Sequence, residues 1–391
     1  MLPTTSIYIH IPFCQKRCSY CDFNTYAGIN HLIPAYVDAI VKEISFYGEM
    51  FNGQLPVKTI FLGGGTPTLL TTPHLSTILD TVFVHFKVDS AAEISLEANP
   101  GTVNLEYLKQ IRRIGYNRIS FGVQTSQVRH LNLMGRIHNF SDSIEAAKNA
   151  QLADFDNFNL DLIYGLPDQT LTEWEDTLNM ILGLNPRHLS LYALGIEEGT
   201  PLWDWVQRGL VVQPDDDLAA SMYELANQRL SESGYYAYEI SNFAFQDQKN
   251  DWRCQHNLQY WHNQPYLGIG AGAHGFFNGK RTENVSGVGE YLRALSQTAG
   301  DLRQSPAVKQ THIVDNFTEQ QETMMVGLRL VEEGVSIPDF TARFGSSPAE
   351  VFRDEIQQLI SQGLLEMKTD EFIRLSHKGR LLGNMVFQKF V

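Results

Sequence analysis

The sequence predicts an α/β fold, a partial (β/α)6 barrel followed by a smaller helical domain. Three observations carry this. Short β-rich runs alternate with amphipathic stretches through the first half, their C-terminal ends are crowded with glycine and isolated polar residues, and the alternation stops near residue 235.

The runs read as strands fall at residues 6–11, 57–64, 93–98, 118–123, 158–165 and 188–194. Between them, residues 33–48, 105–115, 141–152 and 171–183 place apolar side chains at three- and four-residue steps, the period of a helix with one buried face. Strand–helix alternation implies a parallel sheet with right-handed crossovers, and six units suit a partial, TIM-like barrel. In such folds the site lies at the C-terminal strand ends. Those ends read HIPFC, GGGTPT, LEANPG, GVQTS, DLIYGLPDQ and YALGIEEGTP, where Glu97, Gln124 and Asp161 are lone polar residues among glycines.

Bulk composition narrows the class. A chain of 391 residues with 43% hydrophobic and 19% charged residues is expected to form one large domain and a smaller one. The formal net charge of −14 argues against general phosphate-backbone binding, so nucleic acid is not an expected partner. No apolar run reaches the ~18 residues of a spanning helix, so an integral membrane protein is not expected. The first residues carry no basic segment ahead of an apolar one, so a cytoplasmic location with reduced thiols is expected.

Residues 236–310, rich in aromatics, histidine, asparagine and glycine, lack a sustained helical period and read as a connector between a first domain, 1–235, and a last one, 311–391. The last segment orders helix, short helix, longer helix and two short strands, as a winged helix does. Its mixed charges favour a packing or partner-binding role. Two motifs are decoys. GAGAHG at 270–275 satisfies G-x-G-x-x-G, but a turn follows where a dinucleotide site needs a helix, so it reads as a close-packed loop. The acidic run 214–217 reads as a helix N-terminus, where negative charge is favourable.

Three of the four cysteines, Cys14, Cys18 and Cys21, lie within eight residues as C-x3-C-x2-C. Such crowding in a long chain argues against a disulfide framework. A structural zinc site wants four ligands, which His10 or Cys254 could complete; a dithiol site would use Cys18 and Cys21 and leave Cys14 unexplained. A [4Fe-4S] cluster on three thiolates uses all three and leaves one iron open.

The C-x3-C-x2-C spacing, with a strand before it and Tyr20 ahead of the last cysteine, resembles the radical S-adenosylmethionine (radical SAM) enzymes, in which the open iron chelates the methionine moiety. YIHIPFC, GGGTPT, EANPG, GVQ, GRIH and DLIYGLP together are similar to the HemN/HemW family, the oxygen-independent coproporphyrinogen III oxidases and their heme-chaperone relatives. This resemblance runs from about Ile7 to Gly275. It implies that Tyr8, Gly64, Gly65, Thr66, Glu97, Gln124, Arg136 and Asp161 contact S-adenosylmethionine. Carboxylates suit its hydroxyls and amino group, and a guanidinium suits its carboxylate.

Two departures separate this chain from the oxidase branch. That branch has a fourth cysteine where Phe23 stands, and a long extension ahead of the cluster motif where this chain has thirteen residues. CQHNLQYW at 254–261 instead matches the HNxxYW motif of the heme chaperones at His256, Asn257, Tyr260 and Trp261. On one helical turn His256 and Tyr260 share a face, as do Asn257 and Trp261. Imidazole can ligate heme iron and flat rings can pack on a porphyrin; as iron ligands, Cys254, His262 and His274 stay open beside His256.

The expected function is therefore a heme chaperone passing heme to recipient hemoproteins, with a [4Fe-4S] cluster and S-adenosylmethionine serving assembly, homodimerisation or regulated transfer, and without coproporphyrinogen oxidase activity. The alternatives are an oxygen-independent coproporphyrinogen III oxidase working by radical decarboxylation, and a zinc-stabilised partner-binding protein.

Overall fold

The computed structural model describes residues 2–296, 304–369 and 371–391. Six strands and their following helices form as the alternation predicts: β1 (Thr5–Ile11), β2 (Pro56–Gly64), β3 (Lys87–Ala98), β4 (Arg118–Gln124), β5 (Asn157–Tyr164) and β6 (His188–Ala193). Each pairs in parallel with the next. β3 starts six residues earlier than its apolar run, because Lys87 and Val88 pair with the start of β2 across a register shift that no alternation marks.

Residues 235–313 add strands to both edges of this sheet. β7 (Tyr235–Ala237) and β8 (Asn242–Phe245) extend it antiparallel beyond β6. On the other side β9 (Tyr266–Ile269) runs parallel to β1, and β10 (His274–Phe277), β11 (Lys280–Asn284) and β12 (Val308–Ile313) follow antiparallel. Among the described residues the sheet has twelve strands, ordered β12-β11-β10-β9-β1-β2-β3-β4-β5-β6-β8-β7.

Alternation within the strands sorts side chains onto two faces. Ile7, Ile9 and Ile11 of β1, Ile60 and Leu62 of β2, and Leu160 and Leu162 of β5 are fully buried in one apolar core with the flanking helices. The other face lines the barrel interior, and it is polar: Thr59, Glu93, Arg118, Asn159 and His188 near the strand starts, Asp161 and Ser190 midway, Glu97 and Gln124 near the ends. Local chemistry sets the helix ends. Asn139 with Asp142, and Thr170 with Glu173, form capping boxes for the helices after β4 and β5. Asp215 accepts hydrogen bonds from Asp217 and Leu218 N–H, so the acidic run opens the helix Asp216–Glu232.

The C-terminal domain packs helices Asn316–Gly327, Ile337–Phe344 and Arg353–Ser361 against a small sheet containing the hairpin Leu365–Lys368 and Phe372–Leu375, around Met324, Phe340, Phe352, Ile356 and Leu375. Arg281–Glu322 at 2.7 Å, Arg329–Glu239 at 3.2 Å and Arg343, held by Glu319 and donating to the carbonyl of Asn263, tie it to the barrel. Among the described residues no helix is long and apolar enough to cross a membrane.

Candidate functional site

The cysteine loop is built onto the end of β1. Phe13–Cys14 pairs with Tyr26–Ala27 as a short parallel ladder, and Gly65 and Thr66 N–H donate to the carbonyls of Ile11 and Phe13 at 2.8 Å. The glycine-rich turn after β2 is thus stitched beneath the loop. Side chains are forbidden there: a Cβ on Gly64 would lie 2.4 Å from the His10 ring, and Gly64 has a φ of +111°. From the other side, Ser19 binds the carbonyls of Leu133 and Met134, and its own carbonyl accepts from Leu202 N–H.

These contacts close a cavity of about 400 Å³ over the C-terminal strand ends. Cys14, Cys18 and Cys21 line it together with Gly64, Gly65, Thr66, Glu97, Gln124, Arg136 and Asp161. Ten sequence-selected residues, scattered over nearly 150 positions, thus meet at one place. Tyr8 does not line it. It lies deeper, its hydroxyl 2.9 Å from His10 Nδ1. Asp22, Thr25, Tyr192 and Glu197 also line the cavity, and none carries a spacing signal. Tyr192 sits near the C-terminal end of β6 and Glu197 just after the strand, where strand-end position alone could have found them.

Electrostatics differ around the wall. Glu97 accepts Gly64 N–H at 2.9 Å, yet burial, reinforced by the charge of Asp161, pushes its carboxyl up to about 7. Asp161 is raised by burial while Ser120 and Asn159 donate to it at 2.9 and 2.7 Å. Arg136 donates to Cys18 Sγ at 3.4 Å and to the Gly122 carbonyl at 2.6 Å; its buried Nε has no protein partner. Gln124, at a register shift in β4, holds a φ of +71°, a strained backbone at the cavity edge.

The donor set fits a multi-iron cluster better than one ion. Among the described residues no three His, Cys, Asp or Glu groups converge as a single metal ion requires. Cys254 is remote from the other thiols: it lies under the barrel with its Sγ 3.6 Å from Glu93, and burial pushes its thiol up to about 12. Both ring nitrogens of His10 are engaged, with Tyr8 and the Asn24 carbonyl.

The HNxxYW residues form a separate group. The helix Gln255–Trp261 lies at the N-terminal end of the barrel, with Glu93 accepting Gln255 and His256 N–H, both at 3.0 Å. Glu93 lies four residues before Glu97 on β3, so this helix and the cysteine cavity are at opposite ends of the interior. His256 is 1% exposed and stacked on Phe61. Thr59 Oγ1 donates to Ser6 and so accepts from His256 Nδ1 at 2.7 Å, leaving Nε2 to accept from the Tyr260 hydroxyl at 3.0 Å. Burial lowers the His256 pKa to about 3, so the ring is neutral with both nitrogens committed. Asn257 is half-buried, and Trp261 lies under the Arg329 guanidinium at 4.4 Å. His274 is exposed on β10. The GAGAHG loop is close-packed: a Cβ on Gly270 would lie 2.6 Å from the His10 carbonyl, and one on Gly272 2.4 Å from Asn24 in the cysteine loop.

Comparison with known proteins adds the family. Residues 8–181 match the Radical SAM superfamily and residues 319–382 the HemN C-terminal domain. Over 388 residues, 99% of each chain, the sequence is 38% identical to heme chaperone HemW of Bacillus subtilis. This chain belongs to the HemW family. A second HemW heme chaperone, from Escherichia coli, is 36% identical over 393 residues, 100% of this chain and 99% of that one. Among solved structures, coproporphyrinogen III oxidase HemN from Escherichia coli, a radical SAM enzyme, superposes with a TM-score of 0.85 at 23% identity, covering 100% of this chain and 90% of that one. HemW and HemN thus share one fold.

Proposed function

We propose that this protein is a cytoplasmic heme chaperone, binding heme and passing it to hemoproteins. The observation that carries this reading is the match to HemW chaperones along the whole chain, through the barrel, the HNxxYW segment and the C-terminal domain. In this reading Cys14, Cys18 and Cys21 hold a [4Fe-4S] cluster at the mouth of the cavity. Three thiolates would leave one iron of such a cluster without a protein ligand, the position at which S-adenosylmethionine would bind. Gly64 and Gly65 would give the cofactor a wall free of side-chain bulk beside the Thr66 hydroxyl, and Glu97, Gln124 and Asp161 would offer acceptors for its amino and hydroxyl groups. Arg136 holds Cys18 and the Gly122 carbonyl and keeps an unpartnered Nε–H, so it would supply positive charge and a spare donor beside the cluster, as the carboxylate of S-adenosylmethionine needs. Tyr8 acts from below by positioning His10.

The test is transfer. Anaerobically reconstituted protein, loaded with hemin and mixed with apomyoglobin, is expected to yield the myoglobin absorption spectrum. Failure to load or release hemin, with conversion of coproporphyrinogen III to protoporphyrinogen and matching deoxyadenosine, would instead establish an oxidase.

A further inference from the structure

A second cavity, of about 510 Å³, opens where the helix Gln255–Trp261 ends against the C-terminal domain. Its size is that of a ligand pocket for a large organic molecule. Trp261, Val335 and Phe340 supply apolar wall, and His262 lines it with a side chain 43% exposed. His262 Nε2 stands 3.7 Å from Glu333 Oε1, beyond hydrogen-bond reach, which leaves the imidazole available while a carboxylate stands by to orient it. The Trp261 indole N–H is buried without a protein partner, a donor with no acceptor in the chain.

Of the four ligand candidates in and around the HNxxYW segment, Cys254, His256, His262 and His274, only His262 combines accessibility with a cavity. His256 has both nitrogens committed inside the barrel, Cys254 is a buried thiol with its proton held, and His274 lines neither cavity. The position of His262 is also fixed from across the domain boundary, because Arg343 donates to the carbonyls of His262 and Asn263. Movement of the C-terminal domain would therefore move the ligand.

We propose that this interdomain cleft seats the heme, with His262 as an axial iron ligand oriented by Glu333 and the porphyrin plane against Trp261. The assignment rests on the heme-carrier reading above and locates the cargo at the end of the HNxxYW helix, outside its buried histidine. Binding is a dative bond from neutral imidazole to ferric iron and needs no other reactant.

The experiment is a hemin titration of the full chain followed by absorption and electron paramagnetic resonance, on wild type, His262→Ala and Ala342→Trp. Ala342 lines the cleft, so the indole at that position fills it while leaving His262 in place. Wild type is expected to give an imidazole-ligated spectrum. His262→Ala should lose that spectrum, weaken binding at least about tenfold, since losing even an outer-shell partner of a metal ligand costs about that much, and recover the spectrum with added imidazole. Ala342→Trp should block binding with melting behaviour preserved. An imidazole-ligated spectrum and affinity unchanged in both variants would overturn the cleft assignment while the heme-carrier reading stands. A wild type that binds no hemin would overturn both.

Discussion

Replacing Glu93 with glutamine would preserve shape at the floor of the barrel while removing one negative charge. That carboxylate accepts Gln255 and His256 N–H at 3.0 Å each, receives the Cys254 thiol at 3.6 Å, and lies 3.9 Å from Arg118 Nε. Arg118 is 2% exposed and its Nε makes no hydrogen bond, so its charge depends on neighbours at a distance. Glutamine can offer one acceptor oxygen, and its amide would turn donors toward the remaining donors. Losing a charge-assisted bond costs about 1.5–3 kcal/mol and stranding one member of a buried pair about 3–5 kcal/mol. The two overlap at one carboxylate, and Asp161 also acts on Arg118, so a loss of about 3 kcal/mol is expected for Glu93→Gln. Urea unfolding followed by tryptophan fluorescence measures it, and the double variant Glu93→Leu with Arg118→Met should lose less than Glu93→Leu alone. A loss below about 1 kcal/mol, the worth of an exposed ion pair, would refute the claim that Glu93 anchors the HNxxYW helix.

Glu97 should give the cavity a pH signature. Burial raises its folded pKa to about 7, above the ordinary glutamate value of 4.5, so its contribution to stability is fully present below about pH 4.5 and lost as pH rises through 7. Without added S-adenosylmethionine, Glu97→Gln should therefore gain stability over wild type by roughly 3 kcal/mol between those pH values, read from paired urea midpoints; a flat difference would contradict a buried carboxyl. At the glycine turn, a Cβ on Gly65 would lie 2.6 Å from the Phe13 carbonyl oxygen. Gly65→Ala should then cost about 1–3 kcal/mol by overpacking and abolish S-adenosylmethionine binding in equilibrium dialysis, whereas retained affinity would show that the turn does not form the cofactor's wall. Glu43, fully buried, accepts from Gly270 N–H, Asn284, Tyr291 and Ser305, so Glu43→Leu should strand four donors and prevent stable folding, visible as loss of a cooperative thermal transition.

The parallel strands were legible because each carries an apolar run followed by glycine and polar residues, and that grammar also located Glu97, Gln124 and Asp161. Strand ends in such a sheet share one rim, so residues distant in sequence become neighbours without any local signal being needed. The strands β9 to β12 were not legible: they are short, rich in glycine and histidine, and held by pairing to β1 and to one another. The environment of His256 was hidden for a different reason. Its spacing to Tyr260 reads correctly as one helix face, but the partner that commits its other nitrogen, Thr59, is 197 residues away. Glu93 was read only as the start of a strand, since nothing local distinguishes a carboxylate that caps a helix from across the fold. Tyr8 alternates with Ile7 and Ile9 and so faces the barrel interior, yet one position along the strand separates lining the cavity from supporting it.

The central claim is that cluster chemistry and heme carriage occupy opposite ends of one barrel. Anaerobic reconstitution of wild type and of the Cys14→Ala, Cys18→Ala, Cys21→Ala triple variant, with iron, sulfide and bound hemin measured on the same samples, tests it most directly. The prediction is loss of iron and sulfide in the triple variant with hemin binding retained. Hemin lost in step with the cluster, or no hemin bound by the wild type, would contradict it.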